Sequence, residues 1–252
     1  MMTDKIVEPS ALKVLSYNIH KGFNASNSAY VLQEIRQAIR RSGADLVFLQ
    51  EVLGEHQGHA RRHHNWIGGT QFEYLADSIW NHFAYGRNAI YQHGHHGNAI
   101  LSKYPFSWWE NTDVSRFGFS QRGILHGIVA NKIHVFCIHL GLLAIERNSQ
   151  LKRLIAAVRE RVPKDAPLII AGDFNDWSRR LDKKIRSKLG VADAFHSTHG
   201  RLLRTYPAAL PLLPMDRIYF RNLDVQTVHR KMDERDKDLS DHCAVYAEFR
   251  VA

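Results

Sequence analysis

Apolar and polar positions along the chain alternate between two periods. Leu12 to Asn18 is a short apolar run with β-branched character and predicts a strand. Leu32, Ile35 and Ile39 then recur at helical spacing, behind a cap at Asn27 or Ser28, and Gly43 stops that helix. Asp45 to Gln50 contains Leu-Val-Phe-Leu and predicts a buried strand ending in Glu51. The opening is therefore strand, helix, strand, with Asn18 and Glu51 at the two strand ends. Leu53 to Gly69 reads as a long polar loop rich in His and Arg, and Gln71 to Asn81 as a helix. Asn98 to Ser102 predicts a strand. Gly123 to Ala130 and Ile133 to Leu140 predict a hairpin turning at Asn131-Lys132. Glu146 to Arg161 is a helix with Leu151, Leu154, Ile155 and Val158 on one face, followed by Pro163 and Pro167. Leu168-Ile169-Ile170-Ala171 is a fully apolar strand that delivers Gly172-Asp173-Phe174-Asn175. A basic helix, roughly Arg179 to Lys188, comes next. Strands at Met215 to Phe220, Asp224 to His229 and Cys243 to Val251 follow it. Hairpins with a few helices between them imply α/β or α+β with two packed sheets, not a doubly wound parallel sheet.

No internal repeat, linker or low-complexity tract interrupts this pattern, so residues 11–252 are expected to form a single domain behind a flexible stretch at 1–10. With 252 residues and 44% hydrophobic content the chain can build a substantial core. The formal charge of +9 favours polyanionic partners: nucleic acid, an anionic membrane surface, or phosphorylated small molecules. No stable protein partner is implied. The two cysteines, Cys137 and Cys243, sit in apolar runs and read as buried small hydrophobes, not as a secreted disulfide scaffold. Met1-Met2-Thr3-Asp4-Lys5 has no apolar stretch behind it, so no signal peptide is read, and the expected location is cytoplasmic.

Five segments share one property: an apolar strand ends in residues able to bind a metal or move a proton. They are Ser16-Tyr17-Asn18, Gln50-Glu51, Ile138-His139-Leu140, Gly172-Asp173-Phe174-Asn175 and Ser240-Asp241-His242. Met215-Asp216-Arg217-Ile218 adds a sixth, with its Asp at the start of a strand. Each alone has a plain structural reading, a turn for Gly-Asp-Phe-Asn or a solvated strand end for Glu51. Six together point to phosphoryl transfer. Mg²⁺ takes hard oxygen ligands such as Glu51, Asn18 and Asp241 can supply. Asp173 can accept a proton from water, and Asn175 can hold that water. His139 and His242 can donate to phosphoryl oxygens, His242 with Asp216 behind it.

In this combination the chain resembles the endonuclease/exonuclease/phosphatase superfamily. The motifs are Ser-Tyr-Asn18-Ile, Leu-Gln-Glu51-Val, Gly-Asn98-Ala-Ile-Leu-Ser102, Ile-His139-Leu, Gly-Asp173-Phe-Asn175, Asp216-Arg-Ile and Ser-Asp241-His242, running from about Leu12 to Phe249. The resemblance implies a four-layer sandwich of two mixed, mostly antiparallel sheets with helices outside. It implies an Mg²⁺- or Mn²⁺-dependent hydrolase of phosphoesters. Glu51 would be the main metal ligand, aided by Asn18 and Asp241. Asp173 and Asn175 would handle the water, and His242 backed by Asp216 the phosphate. His139 would bind phosphate or assist the leaving group. Within the superfamily the chain is most similar to small bacterial members.

The substrate is less sharply marked. The basic stretch Arg179, Arg180, Lys183, Lys184, Arg186 and Lys188, with Trp177 before it, fits a nuclease: cations follow a phosphate backbone and an indole stacks on a base. A solvated helix face and a packed Trp are the bland readings. Trp108-Trp109 and Leu210-Pro211-Leu212-Leu213-Pro214 leave room for a phospholipid or head-group phosphodiesterase, or an inositol-phosphate phosphatase. The His-rich runs at 56–64 and 93–96 lack a closed zinc spacing, and His96, with Asn98, is read as lining the pocket. A binding module without catalysis is the other class, and the complete set of acids, amides and imidazoles argues against it.

Overall fold

A computed structural model describes residues 9–56, 66–91, 94–231, 233 and 236–251. The expected flexible stretch, apart from Pro9 and Ser10, lies outside these residues, as do most of the run at 56–64 and His93. The strands are β1 (Ala11–Asn18), β2 (Leu46–His56), β3 (His82–Tyr91), β4 (Gly94–Ser102), β5 (Phe106–Asp113), β6 (Gly123–Val129), β7 (Ile133–His139), β8 (Leu168–Asp173), β9 (Ala192–Asp193), β10 (Asp216–Arg221), β11 (Asp224–Lys231) and β12 (Ala244–Arg250). The α-helices are α1 (Leu32–Ser42), α2 (Gln71–Ala76), α3 (Ala144–Arg161), α4 (Arg180–Leu189) and α5 (Ala194–His199), with one 3-10 turn at His20–Gly22.

Two six-stranded sheets run in the orders β11-β12-β1-β2-β4-β3 and β5-β6-β7-β8-β10-β9. At the centre of each lies one parallel pair, β1 with β2 and β7 with β8, and the other pairings are antiparallel. A parallel pair needs a crossover, and α1 and α3 supply the two. β7 and β8 are buried along their whole length because both faces are covered, which is why they read as unbroken apolar runs.

Alternation along the strands divides the core into three apolar layers. Leu12, Val14, Phe48 and Ile100 face Val135, Cys137, Ile169 and Ala171 between the sheets. Leu15, Val47 and Leu49 point the other way, against Leu32, Ile35 and Ile39 of α1. Phe136, Ile138 and Ile170 pack on Leu151, Leu154 and Val158 of α3 and on Leu181 and Ile185 of α4. Each such aliphatic side chain contributes roughly 1.5–3 kcal/mol on burial. The result is the four-layer sandwich that the resemblance implied. Among the described residues no helix is long and apolar enough to cross a membrane.

Four local expectations change. β2 does not give way to a loop at Leu53 but runs to His56, because it keeps pairing with β4 and Gln71 Oε1 accepts from the Leu53 amide at 2.8 Å. α2 ends at Ala76 rather than Asn81, where Asp77 turns to φ 45°. Asn27 and Ser28 do not cap α1. Ser28 and Ala29 instead donate to Asn24 Oδ1, and the N-cap is Val31. β3 and β5 are strands that the pattern does not announce. Each is a sheet edge with one wet face, and Trp108 and Trp109 of β5 are 39% and 46% exposed.

Candidate active site

The polar strand ends meet at one edge of the sandwich, at the carboxyl ends of the two central parallel pairs. Asn18 closes β1, His139 closes β7 and Asp173 closes β8. Register sets His139 beside Asp173 on one side and Asp216, the first residue of β10, on the other. Asn18 then joins the two sheets, its Nδ2 donating to Asp173 Oδ2 at 3.3 Å.

Local backbone geometry explains the motif residues. Gly172 has φ 146°, and a Cβ there would fall 2.0 Å from the Ile138 carbonyl oxygen of β7. No other residue fits so close to a parallel neighbour. Asn175 takes φ 48° and donates its own N–H to Asp173 Oδ1 at 2.9 Å, an Asx turn. Phe174 between them is fully buried, edge-on to Tyr219. Glu51 has φ 57° at a register shift in β2, a bulge that re-aims its side chain.

Asp173 is the hub. Oδ2 accepts from Asn18 Nδ2 at 3.3 Å and Asn175 Nδ2 at 3.4 Å, and lies 3.5 Å from His139 Nε2 and 3.8 Å from His242 Nε2. The other His242 nitrogen, Nδ1, is 2.8 Å from Asp216 Oδ2. Asp216 is anchored from behind by Thr205, whose Oγ1 accepts from the Asp216 amide at 3.0 Å. Ser240 donates to the Asn18 carbonyl at 2.7 Å and accepts from the His242 amide, which ties the last segment to the first.

These contacts drive protonation apart. Burial works against a charged His242, but Asp216 and Asp173 outweigh it and lift it to about 10, so it is an imidazolium at neutral pH. Burial pushes Asp173 up to about 7 against the pull of His242. His139 is held well below its usual value by burial, with Arg122 adding to the effect, and stays neutral. Burial would raise Glu51, yet facing His139 and Lys21 bring it down to about 2. Because His139 is neutral, the Lys21 ammonium at 3.1 Å carries this effect.

The donor set fits a hard divalent cation. Glu51 Oε2 is buried and accepts no hydrogen bond, its ion pair with Lys21 apart. Among the described residues Asn18 Oδ1 accepts only from the His20 amide, at 3.1 Å, and Asp241 keeps a side chain 28% exposed at the mouth. Carboxylate and amide oxygens suit Mg²⁺ or Mn²⁺. Asp173, Asp216 and His242 also cluster, with one ligand atom each within 4.8 Å of the others. In that group His242 Nδ1 is already engaged by Asp216, which makes it the weaker site for a cation.

The remaining expected site residues divide. Asn175 spends both amide donors on the Leu140 carbonyl and on Asp173, so it positions Asp173 where the sequence suggested a grip on water. Asn98 is 1% exposed, and its Nδ2 donates to the carbonyls of Gly123 and Cys137 in the facing sheet. These bonds tie the two sheets together. His96 is half-buried near Glu51, lowered by burial to about 4, and its Nδ1 is buried without a hydrogen-bond partner. Trp177 is 44% exposed, under the Arg147 guanidinium at 4.2 Å, so it is no core anchor. Arg179 and Arg180 are exposed, with Arg179 at the N-cap of α4.

Several contributors were not legible. Lys21 follows Asn18 in the short turn His20–Gly22, and its place after the strand end was the available signal. Tyr206, whose ring centroid lies 4.9 Å from that of His242, gave none. Arg217, read as part of a motif, forms with Asp176 a buried ion pair at 3.2 Å that fixes the turn after Asp173. Asp176 also accepts from the Arg180 and Leu181 amides and so starts α4.

Comparison with known proteins agrees with this fold. The model of the family described as "Endonuclease/Exonuclease/phosphatase family" matches residues 15–242. The Escherichia coli (strain K12) protein "Uncharacterized protein YbhP" is 43% identical over 246 residues, spanning 96% of this chain and 97% of that one. Among solved structures, an endonuclease/exonuclease/phosphatase from Beutenbergia cavernae superposes with a TM-score of 0.77 at 19% identity, covering 97% of this chain and 72% of that one. TDP2 of D. rerio, complexed with single strand DNA product, gives 0.68 at 17% identity, covering 96% and 99%.

Proposed function

Because the chain belongs to the endonuclease/exonuclease/phosphatase family, whose members are in general phosphoester hydrolases, we propose that it cleaves a phosphodiester by attack of water, with nucleic acid as substrate. The observation that carries the chemistry is the setting of Asp173. It is buried, held by two carboxamides and an amide N–H, and flanked by two histidines, one neutral and one cationic.

Asp173 orients the water and takes its proton. A carboxyl pushed up to about 7 is matched to that task near neutral pH. The His242 imidazolium, kept charged by Asp216, faces the charge that grows on the non-bridging oxygens. Neutral His139 stands across Asp173 and contacts the phosphate or the leaving oxygen. Glu51, with Asn18 and Asp241, would hold a divalent cation, which when bound polarises the phosphoryl oxygen and neutralises developing charge. Trp177, Arg179 and Arg180 offer a stacking face and two free cations at the rim, as a nucleic-acid strand requires. The D. rerio TDP2 neighbour holds single strand DNA product on the same fold.

Turnover with Mg²⁺ or Mn²⁺ on bis(p-nitrophenyl) phosphate, plasmid, single-stranded DNA and RNA tests this reading. Asp173→Asn is expected to lower kcat at least about 10³-fold with the fold kept. Full turnover by that variant would falsify the assigned mechanism. One observation favours a second substrate. Leu142 and Leu143, on the loop that follows β7, and Ile145, in the first turn of α3, are 59%, 47% and 57% exposed, an apolar rim suited to a lipid surface. Release of head groups from phospholipid vesicles, with no cut in any nucleic acid, would decide for a phospholipid phosphodiesterase.

A further inference from the structure

A second concave and cationic surface lies beside the catalytic edge. It is a cavity of about 490 Å³ lined by Arg201, Arg204, Arg230 and His229, with Phe195 and Val228 supplying apolar lining and, among the described residues, no carboxylate on its walls. Several surface arginines are matched by acids, as Arg36 is by Asp77, Arg41 by Asp236, Arg161 by Glu110 and Arg250 by Asp224. Among the described residues no carboxylate lies within ion-pair distance of Arg201, Arg204 or Arg230. Three guanidinium groups around one hollow repel each other, and a low-dielectric wall focuses their field outward. An anion relieves that repulsion. The planar fork of arginine prefers phosphate, which it can grip with two donors.

Position links the cavity to the active site. Arg204 precedes Thr205, which accepts from the Asp216 amide through Oγ1 and from the Cys243 amide through its carbonyl. Tyr206 follows, its ring against His242. The hairpin from Tyr206 to Leu213 therefore has the catalytic pair on one side and, through Arg204 and Pro211, the cavity on the other. Arg230 stands opposite Val245 in the β11–β12 register, three residues from His242, so the cavity opens at the catalytic end of that sheet. Phe195 is half-buried with His199 stacked on it at 4.0 Å, giving an aromatic surface beside the cations. Cations that follow phosphates next to a ring that accepts a base are the requirements of single-strand binding.

We propose that this cavity is a second phosphate-binding site, engaging a nucleic-acid strand beyond the phosphate that is cleaved. It rests on the nucleic-acid reading of the catalytic centre. The test is binding of a short labelled single-stranded DNA oligonucleotide in EDTA, by fluorescence anisotropy across a salt series. Arg201→Ala/Arg204→Ala is compared with wild type and with a charge-matched control, Arg40→Ala/Arg250→Ala. The cavity variant is expected to bind about tenfold more weakly at low salt, with the slope of log K against log salt reduced by about 1.4. Its turnover of bis(p-nitrophenyl) phosphate, which carries one phosphate, stays at the wild-type level. Arg230→Gln provides a second variant with the same expected direction. Binding equal to that of the control overturns the site. So does a wild type that does not bind, or a loss confined to phosphatidylglycerol vesicles. An oligonucleotide held through Arg201 and Arg204 but never cut keeps the site and removes the nuclease reading. Cutting that is indifferent to these arginines removes the site alone.

Discussion

At the scale of single residues, the site depends on charges that burial has set against one another. Asp173 is raised from 3.8 to about 7, so its preference for the proton adds stability below pH 3.8 and is lost as pH climbs through 7. Ionised Asp173 therefore costs stability where the enzyme works. Asp173→Asn is accordingly expected to melt no lower than wild type at pH 8, although it is inactive, and calorimetry checks this. His242 is raised from 6.5 to about 10, and what it draws from Asp216 is complete below pH 6.5 and gone as pH passes 10. A plot of kcat/KM against pH should rise as Asp173 ionises around 7 and fall as His242 loses its proton around 10. A profile flat from 6 to 8 would remove Asp173 as the proton acceptor. Glu51 provides a readout independent of turnover. Mg²⁺ at a hundred times its Kd should stabilise the protein by about 2.7 kcal/mol, and Glu51→Gln should abolish most of the rise in Tm. An equal rise in both proteins would move the cation elsewhere.

At the scale of elements, each catalytic group is delivered by a backbone device. Gly172→Ala drives a Cβ to 2.0 Å from the Ile138 carbonyl oxygen, at φ 146°. It is expected to cost about 3 kcal/mol or more, seen as a lower midpoint in urea unfolding. A midpoint within error of wild type would mean that β7 and β8 can part freely. Such devices also decide how much the sequence revealed. The strands that carry Asn18, His139 and Asp173 are central, and β7, β8 and the second half of β1 are buried on both faces, so their apolar runs stood out. β3 and β5 are edges with a wet face, and their pattern is diluted. The bulge at Glu51 was invisible because a positive φ at a glutamate leaves no compositional trace.

Across the whole molecule the two sheets repeat one plan. In each, a helix-crossed parallel pair occupies the two central places, and the site forms where the carboxyl ends of both pairs meet. Ligand sites at such edges are a general property of sheets with parallel centres. The six polar strand ends could therefore be recognised as a set before any distance was known. What stayed hidden were the long-range pairings: Asn18 with Asp173, Lys21 with Glu51, and the Tyr206 hairpin against His242. Each joins segments whose sequence separation carries no periodic signal.

The strand order has a consequence for synthesis. The second sheet, β5 to β10, is one continuous stretch of chain, while β1 finds its outer neighbour β12 only at the end. A chain emerging from the ribosome can complete one sheet and must hold the other open, with β1 lacking a partner on that side. His242 and Asp241 arrive in the same last segment. A nascent chain stalled after β10 should therefore be protected from protease over β5 to β10, yet inert toward phosphodiesters until the last strand docks. Pulse proteolysis of stalled chains would show this, and equal protection of β1 and β2 before β12 emerges would contradict it. The order in which the strands leave the ribosome thus acts as a timer: the proposed catalytic edge stays incomplete until the segment that carries Asp241 and His242 has emerged and docked.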